Sequence, residues 1–166
     1  MRSTPKVAIV MGSDSDLPIV QKAIEMLETF GVEREVRVIS AHRTPKMLDD
    51  FVLKIAEKEI EVVIAAAGKA AHLPGVLAAK TLIPVIGLPM KSSTLDGLDS
   101  LLSIVQMPKG MPVATVAING SENAALLAIQ ILALKYPYLA EKLASYRDAM
   151  AREVHEKDEI VRKNFM

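Results

Sequence analysis

The residues best equipped for chemistry stand together at Ser40-Ala41-His42-Arg43-Thr44-Pro45, where an acid/base imidazole is followed directly by an anion-binding guanidinium. Imidazole gives up and regains a proton near neutral pH, and a guanidinium fork matches the oxygens of a phosphate or carboxylate. Val36-Arg37-Val38-Ile39 before the hexapeptide is β-branched and strand-like, and Pro45 suits the first turn of a helix carrying Met47, Leu48, Phe51, Val52 and Ile55. Open α/β sheets bind ligands outside the carboxyl ends of their strands, where helix N-termini offer free N–H groups to anions. The hexapeptide therefore reads as an active-site loop. The alternative is a loop histidine bonded to backbone, beside an arginine paired with a surface carboxylate; the hexapeptide alone leaves both open.

Two other loops carry candidate groups. In Gly12-Ser13-Asp14-Ser15-Asp16, glycine allows a tight turn, the hydroxyls of Ser13 and Ser15 can donate to phosphate oxygens at a helix N-terminus, and Asp16 can accept from ribose hydroxyls. Capping of the helix by Ser15 or Asp16 is the plainer alternative. The loop has neither the lysine and glycine spacing of a P-loop nor that of a dinucleotide fingerprint. Its Asp-x-Asp pair brings metal-dependent phosphatases to mind, but Asp14 stands past Gly12 and Ser13 rather than at the strand end. In Gly68-Lys69-Ala70-Ala71-His72-Leu73-Pro74-Gly75 the small residues let a ligand approach the backbone. His72 is either a wall of the same pocket or a capping or buried histidine bonded to its neighbours. Lys69 either reaches an anionic ligand or points into solvent.

These loops need a scaffold that brings strand ends together, and the alternation of the chain supplies one. Lys6 to Met11 is an apolar run suited to a strand covered on both faces; a helix with Pro18 near its start and Gly31 at its stop follows, with Ile19, Val20, Ala23, Ile24 and Leu27 on its apolar face. Strands are expected over 34–39, 60–66, 84–88 and 113–118. Between and after them, helices are expected from Pro45 to near Glu59, from about Leu73, from Leu98 to Gln106, from Ser121 or Glu122 to Leu134, and from Tyr138 to the end. The segment from Lys91 to Leu95 reads as a polar loop. Strand and helix in turn, with short connections, mean a three-layer α/β domain: a parallel sheet of flavodoxin-like or Rossmann-like type, wound on both sides, with a long C-terminal helix. We find no linker or repeat, so residues 1–166 read as one domain.

Composition narrows the function classes. Lysine plus arginine balances aspartate plus glutamate at 20 each, so no field of one sign draws the molecule to nucleic acid or a membrane surface. The absence of cysteine removes disulfides, thiolate nucleophiles and cysteine-ligated metal centres. With no apolar signal core and no run long enough to span a bilayer, a soluble, cytoplasmic protein is expected. A hydrophobic fraction of 51% suggests apolar surface covered by other subunits. Residues 137–166 carry the same suggestion: Leu139, Leu143, Tyr146, Met150, Val154 and Val161 form an apolar stripe. A helix from Leu139 to Phe165, at about 1.5 Å per residue, would run roughly 40 Å, which points to packing on a neighbouring subunit.

Gly-Ser-Asp-Ser-Asp at 12–16, Ser-Ala-His-Arg-Thr-Pro at 40–45, Ala-Ala-His-Leu-Pro-Gly at 70–75 and Ser-Ile-Val-Gln-Met-Pro at 103–108 resemble, in order and interval, the PurE family. Its bacterial mutase branch is the one most resembled, since the carboxylases that take carbon dioxide directly tend to have lysine where Arg43 stands. The resemblance implies a flavodoxin-like subunit of a homo-octamer, no metal or organic cofactor, and an N5-carboxyaminoimidazole ribonucleotide mutase of purine biosynthesis. It further implies that Ser13, Ser15, Ser40 and Arg43 hold the phosphate, Asp16 holds the ribose and His42 moves the proton. Gly68, Ala70 and Leu73 would lie against the imidazole and its carboxylate. Lys69 and His72 are accessory candidates on their residue types alone, Lys69 through a charge that could grip the substrate carboxylate. The family's usual third loop reads Ala-Gly-Ala-Gly-Gly-Ala-Ala-His, whereas Ala66 and Lys69 stand here in place of glycines. A positive φ at Lys69 would strain the loop. The competing readings are a non-catalytic nucleotide-binding member impaired at the Lys69 loop and the metal-dependent phosphatase.

Overall fold

The computed structural model describes residues 4–165 and has five parallel strands in the order β2-β1-β3-β4-β5. In chain order these are β1 (Lys6–Met11), α1 (Leu17–Phe30), β2 (Glu33–Val38), α2 (Pro45–Leu53), β3 (Val62–Ala67), α3 (Leu73–Lys80), β4 (Val85–Pro89), α4 (Leu98–Val105), β5 (Ala114–Thr115), α5 (Ser121–Ala133) and α6 (Pro137–Asn164). The order is that of the flavodoxin-like fold, and it reverses direction between β1 and β3. Register sets the strand ends level: Met11 pairs with Val38 on one side and with Ala66 on the other.

Alternate residues of the central strands feed two cores. Val7, Ile9 and Met11 pack with Val20, Leu27, Ala128, Ile129 and Leu139 beneath α1, α5 and α6. Ala8 and Val10 pack with Leu48, Phe51, Leu77 and Ile104 beneath α2, α3 and α4. β1 and β3 are buried almost throughout, which explains their unbroken apolar sequence. β2 is an edge strand, and its charged residues Glu33, Arg34, Glu35 and Arg37 suit a strand with one side open to water. Gly87 in β4 is required by close approach, since a Cβ there would lie 2.3 Å from Ile104 Cγ2 and 3.0 Å from Val113 Cγ1.

Several element ends differ from the sequence reading. α2 stops at Leu53, and turns carry the chain on to Glu59, whose φ of 54° ends the run with a left-handed residue. The last strand shrinks to Ala114–Thr115, because beyond Val116 N, which donates to Gly87 O, the chain turns to reach α5. β3 and β4 each begin and end one or two residues later than expected. α6 runs 28 residues but buries only Leu139 and Leu143; Tyr146 meets Phe30 edge to face, and Met150, Val154, Ile160 and Val161 are exposed.

Candidate functional site

The carboxyl ends of β1, β2, β3 and β4 surround a cavity of about 580 Å³. Its lining includes Gly12, Ser13, Ser15 and Asp16 from the first loop, Ser40, His42 and Arg43 from the second, and Gly68, Lys69, Ala70, His72 and Leu73 from the third. The candidate catalytic, binding and accessory residues of the three loops therefore all line one cavity, beside the point where the strand order reverses, whereas Asp14 does not line it. The volume suits a small-molecule ligand.

The first loop is a short 3-10 turn, Asp14–Asp16, capped by Ser13, whose Oγ accepts from Ser15 N at 3.3 Å. Ser15 Oγ donates to Ser13 Oγ at 2.8 Å, which brings the two hydroxyls together at the cavity wall. Asp16 precedes α1 yet makes no side-chain capping bond, so the capping reading fails for it. Burial raises the Asp16 carboxyl above its ordinary 3.8, the Asp14 carboxylate raises it further, and a backbone hydrogen bond at Ser13 opposes the rise.

The second loop is folded by its own side chains. Ser40 Oγ accepts from Arg43 N at 3.1 Å, while Thr44 Oγ1 accepts from Ser40 N and donates to Ser40 O, both at 3.0 Å. Arg43 Nη2 donates to Gly12 O at 3.2 Å, tying the second loop to the first. Its contacts are a carbonyl and the Ser40 hydroxyl, and among the described residues it forms no ion pair with a carboxylate. Among the described residues the His42 ring bonds to no backbone group. Its Nε2 lies 2.8 Å from His72 Nδ1, and the rings cross edge to face at 87°.

In the third loop His72 stands immediately before α3 but makes no side-chain capping bond, and it is exposed, so neither the capping nor the buried alternative describes it. Lys69 adopts φ 55°, a left-handed conformation that glycine takes at little cost and a lysine does not. It is exposed and has no carboxylate partner among the described residues. Gly68 lies against the fourth loop, where a Cβ would meet Met90 Cβ at 3.5 Å.

That fourth loop is what the sequence reading missed. Met90, Lys91, Ser92 and Ser93 line the cavity, although 91–95 read only as a polar connection. The signal was available, since these residues leave the carboxyl end of β4 next to β3, the position that marked the other loops. Lys91 N donates to Asn119 Oδ1 at 2.9 Å, and Lys91 Nζ pairs with Asp96 at 3.2 Å. By contrast, residues 103–108 end α4 and do not line the cavity. With Lys91 paired to Asp96, the cavity wall still carries Arg43 and Lys69 against one lining carboxylate, Asp16, an excess of positive charge that suits an anionic ligand. Among the described residues no group of three or more His, Asp or Glu side chains is placed to hold a metal ion.

A flavodoxin-like sheet with an anion-receptive cleft and a histidine pair at its switch point defines a small-molecule-binding α/β protein. The AIR carboxylase family model matches residues 6–153, and the chain belongs to that family. It is 63% identical over 148 residues to an N5-carboxyaminoimidazole ribonucleotide mutase from Pyrococcus abyssi, covering 89% of this chain and 85% of that protein. It is 57% identical over 153 residues to the protein of the same name from Thermotoga maritima, covering 92% of this chain and 90% of that one. The crystal structure of Treponema denticola PurE superposes with a TM-score of 0.82 at 32% identity, covering 93% of this chain and 97% of that one. Mutase-named relatives thus come from archaea as well as bacteria, and likeness to them does not single out a bacterial branch.

Proposed function

We propose that the chain acts as an N5-carboxyaminoimidazole ribonucleotide mutase of purine biosynthesis, moving a carboxylate from the exocyclic N5 of an aminoimidazole ribonucleotide to ring carbon C4. High identity to proteins of that name supports the reaction. The observation that carries the assignment of this cavity is the meeting of His42, Arg43 and the Ser13 and Ser15 hydroxyls in one anion-receptive cleft. A phosphate fits Ser13, Ser15, Ser40 and the Arg43 fork, and a ribose fits beside Asp16. The base and its carboxylate then fall to Gly68, Ala70 and Leu73, with the Lys69 ammonium as an accessory charge for the carboxylate.

The chemistry asks little more of the protein. As the N5–carboxyl bond breaks, N5 takes a proton and carbon dioxide is freed; C4 then attacks the carbon dioxide and loses its own proton. One group that donates and then accepts serves both steps, and His42 is suited to it. Carbon dioxide must stay beside the ring between the steps, which favours a cleft walled by small residues. Arginine at position 43 favours the mutase over the carboxylase that takes free carbon dioxide. The reading is tested by incubating the protein with 4-carboxy-5-aminoimidazole ribonucleotide and following interconversion with the N5 isomer, with and without chelator. Turnover insensitive to chelator and lost in His42→Asn is expected. Turnover in pure His42→Asn would remove His42 from the proton step, and no turnover in the parent protein would favour the non-catalytic binder.

Assembly belongs to the same proposal. Residues 1–166 form one domain, and 137–166 serve to join copies into a homo-oligomer, an octamer as the family resemblance implies, in the cytoplasm. Two exposed apolar stripes support this: Leu98, Leu102 and Val105 on α4, and Met150, Val154 and Val161 on α6, each about half exposed or more. Among the described residues no helix is long and apolar enough to cross a membrane, so a bilayer-spanning segment does not account for them.

A further inference from the structure

We propose that His72 is a positioning residue for the proton step: its Nδ1 accepts the Nε2–H of His42, so that His42 Nδ1 is the nitrogen that trades protons with the substrate. The inference rests on the reading of His42 as the acid/base group. Its basis is the 2.8 Å approach of His42 Nε2 to His72 Nδ1, between rings borne on loops that follow different strands. Among the described residues neither ring makes another hydrogen bond. His72 makes no side-chain capping bond to α3, and its backbone is fixed separately, with N donating to Ala70 O and O accepting from Val76 N, both at 2.9 Å. His42 sits in a turn closed by Thr44 N donating to Ser40 O at 2.9 Å. Two ordered backbones thus aim two exposed side chains at each other on the wall of the cavity.

Proton accounting fixes the direction of the hydrogen bond. To protonate N5, His42 must first carry protons on both ring nitrogens, and a doubly protonated ring has no lone pair with which to accept. In that state the contact can only run from His42 Nε2–H to the bare Nδ1 of His72, which is then neutral with its own proton on Nε2. When His42 Nδ1 gives its proton to N5 and the carbon–nitrogen bond breaks, the Nε2 proton stays committed to His72. The new lone pair therefore lies on Nδ1. After C4 has bonded to carbon dioxide, the C4 proton passes to that same lone pair, restoring the starting cation with no net gain or loss of protons. Without His72 the neutral His42 ring could carry its proton on either nitrogen and rotate, and the base would be misplaced in part of the population.

The test uses the full chain and three variants. In His72→Ala we expect kcat to fall about ten- to hundredfold, less than the 10²–10⁴ that general acid–base catalysis as a whole supplies, with KM nearly unchanged. His72→Asn, whose amide oxygen can accept near the lost Nδ1 position, should recover most of that loss, which a group needed only for packing would not do. Nitrogen-15 NMR of the ligand-free protein at about pH 8, where an ordinary imidazole is neutral, should show His42 as a single Nε2–H tautomer, and as a tautomer mixture in His72→Ala. An unchanged kcat in His72→Ala, an effect on KM alone, no recovery in His72→Asn, or a His42 protonated on Nδ1 would each overturn the proposal. His42→Asn separates the two levels: if it is inactive while His72→Ala is fully active, only this inference fails. If His42→Asn is active, the reading of His42 itself fails.

Discussion

Lys69 occupies a backbone conformation that its side chain resists, and replacing it should separate stability from binding. At φ 55° a residue with a Cβ is strained by about 1–2 kcal/mol relative to the right-handed region. Glycine escapes that strain but loses more chain freedom on folding, by roughly 0.5–1 kcal/mol. The side chain offsets none of this, since it is exposed and pairs with no carboxylate among the described residues. Lys69→Gly should therefore gain about 0.5–1 kcal/mol, which at about 2–4 °C per kcal/mol for a chain of this size is a Tm rise of about 1–4 °C. Lys69→Ala keeps the Cβ and should not gain. Both variants lose a cation from the cleft; an exposed ion pair is worth up to about 1 kcal/mol, so KM for the carboxylated ribonucleotide should rise up to about fivefold in each. Thermal unfolding followed by circular dichroism, with steady-state kinetics on the same preparations, decides the matter. A lower Tm in the glycine variant, or an equal gain in the alanine variant, would refute the strain argument. An unchanged KM in both would show that the ammonium serves no ligand.

Three other outcomes follow from the same geometry. Arg43→Ala removes charge-assisted hydrogen bonds worth about 1.5–3 kcal/mol, so KM should rise roughly ten- to hundredfold with a smaller change in kcat; a collapse of kcat at constant KM would reverse the roles of Arg43 and His42. Asp16 has its pKa raised by burial first and by Asp14 second, so the folded protein holds its proton more tightly than the unfolded chain, and wild-type stability falls as pH rises from 3.8 through the raised value. Asp16→Asn should gain stability relative to wild type between pH 3.5 and 7 in urea titrations, while losing ribonucleotide affinity; a difference constant with pH would show that Asp16 titrates as it does in the unfolded chain. Truncation after Ser145 removes the exposed stripe of Met150, Val154 and Val161 but keeps Leu139 and Leu143, the helix's buried contacts, so sedimentation should report a smaller assembly or lost solubility. The same mass and Tm as the full chain would assign the stripe another purpose.

What the sequence made legible was whatever depends on local pattern. The apolar run at Lys6–Met11 declared a strand covered on both faces, the strand expected over 60–66 is Val62–Ala67 in the structure, and Pro18, Pro45 and Pro74 each stand in the first turn of a helix. The motifs placed the first three loops at strand ends, and the sheet order then brought them into one cleft. Less legible was whatever depends on what meets what. β5 is two residues long although 113–118 is apolar, because only Ala114 and Thr115 pair with Ile86 and Gly87 before the chain bends away. Met90–Ser93 follow a strand end as the other loops do, but their residue types mark no chemistry, and only the place of β4 beside β3 makes them cavity wall. His72 shows the difference most clearly. Alone, it looks like a histidine at a helix start, and only the register of β2 and β3 about β1 brings its Nδ1 to His42, 30 positions earlier. A shift of one residue in either strand would move a loop by about 3.3 Å along the strand and break a contact that has 2.8 Å between its nitrogens. The buried strands β1 and β3 therefore serve the chemistry as well as the core, by fixing the register on which the histidine pair depends.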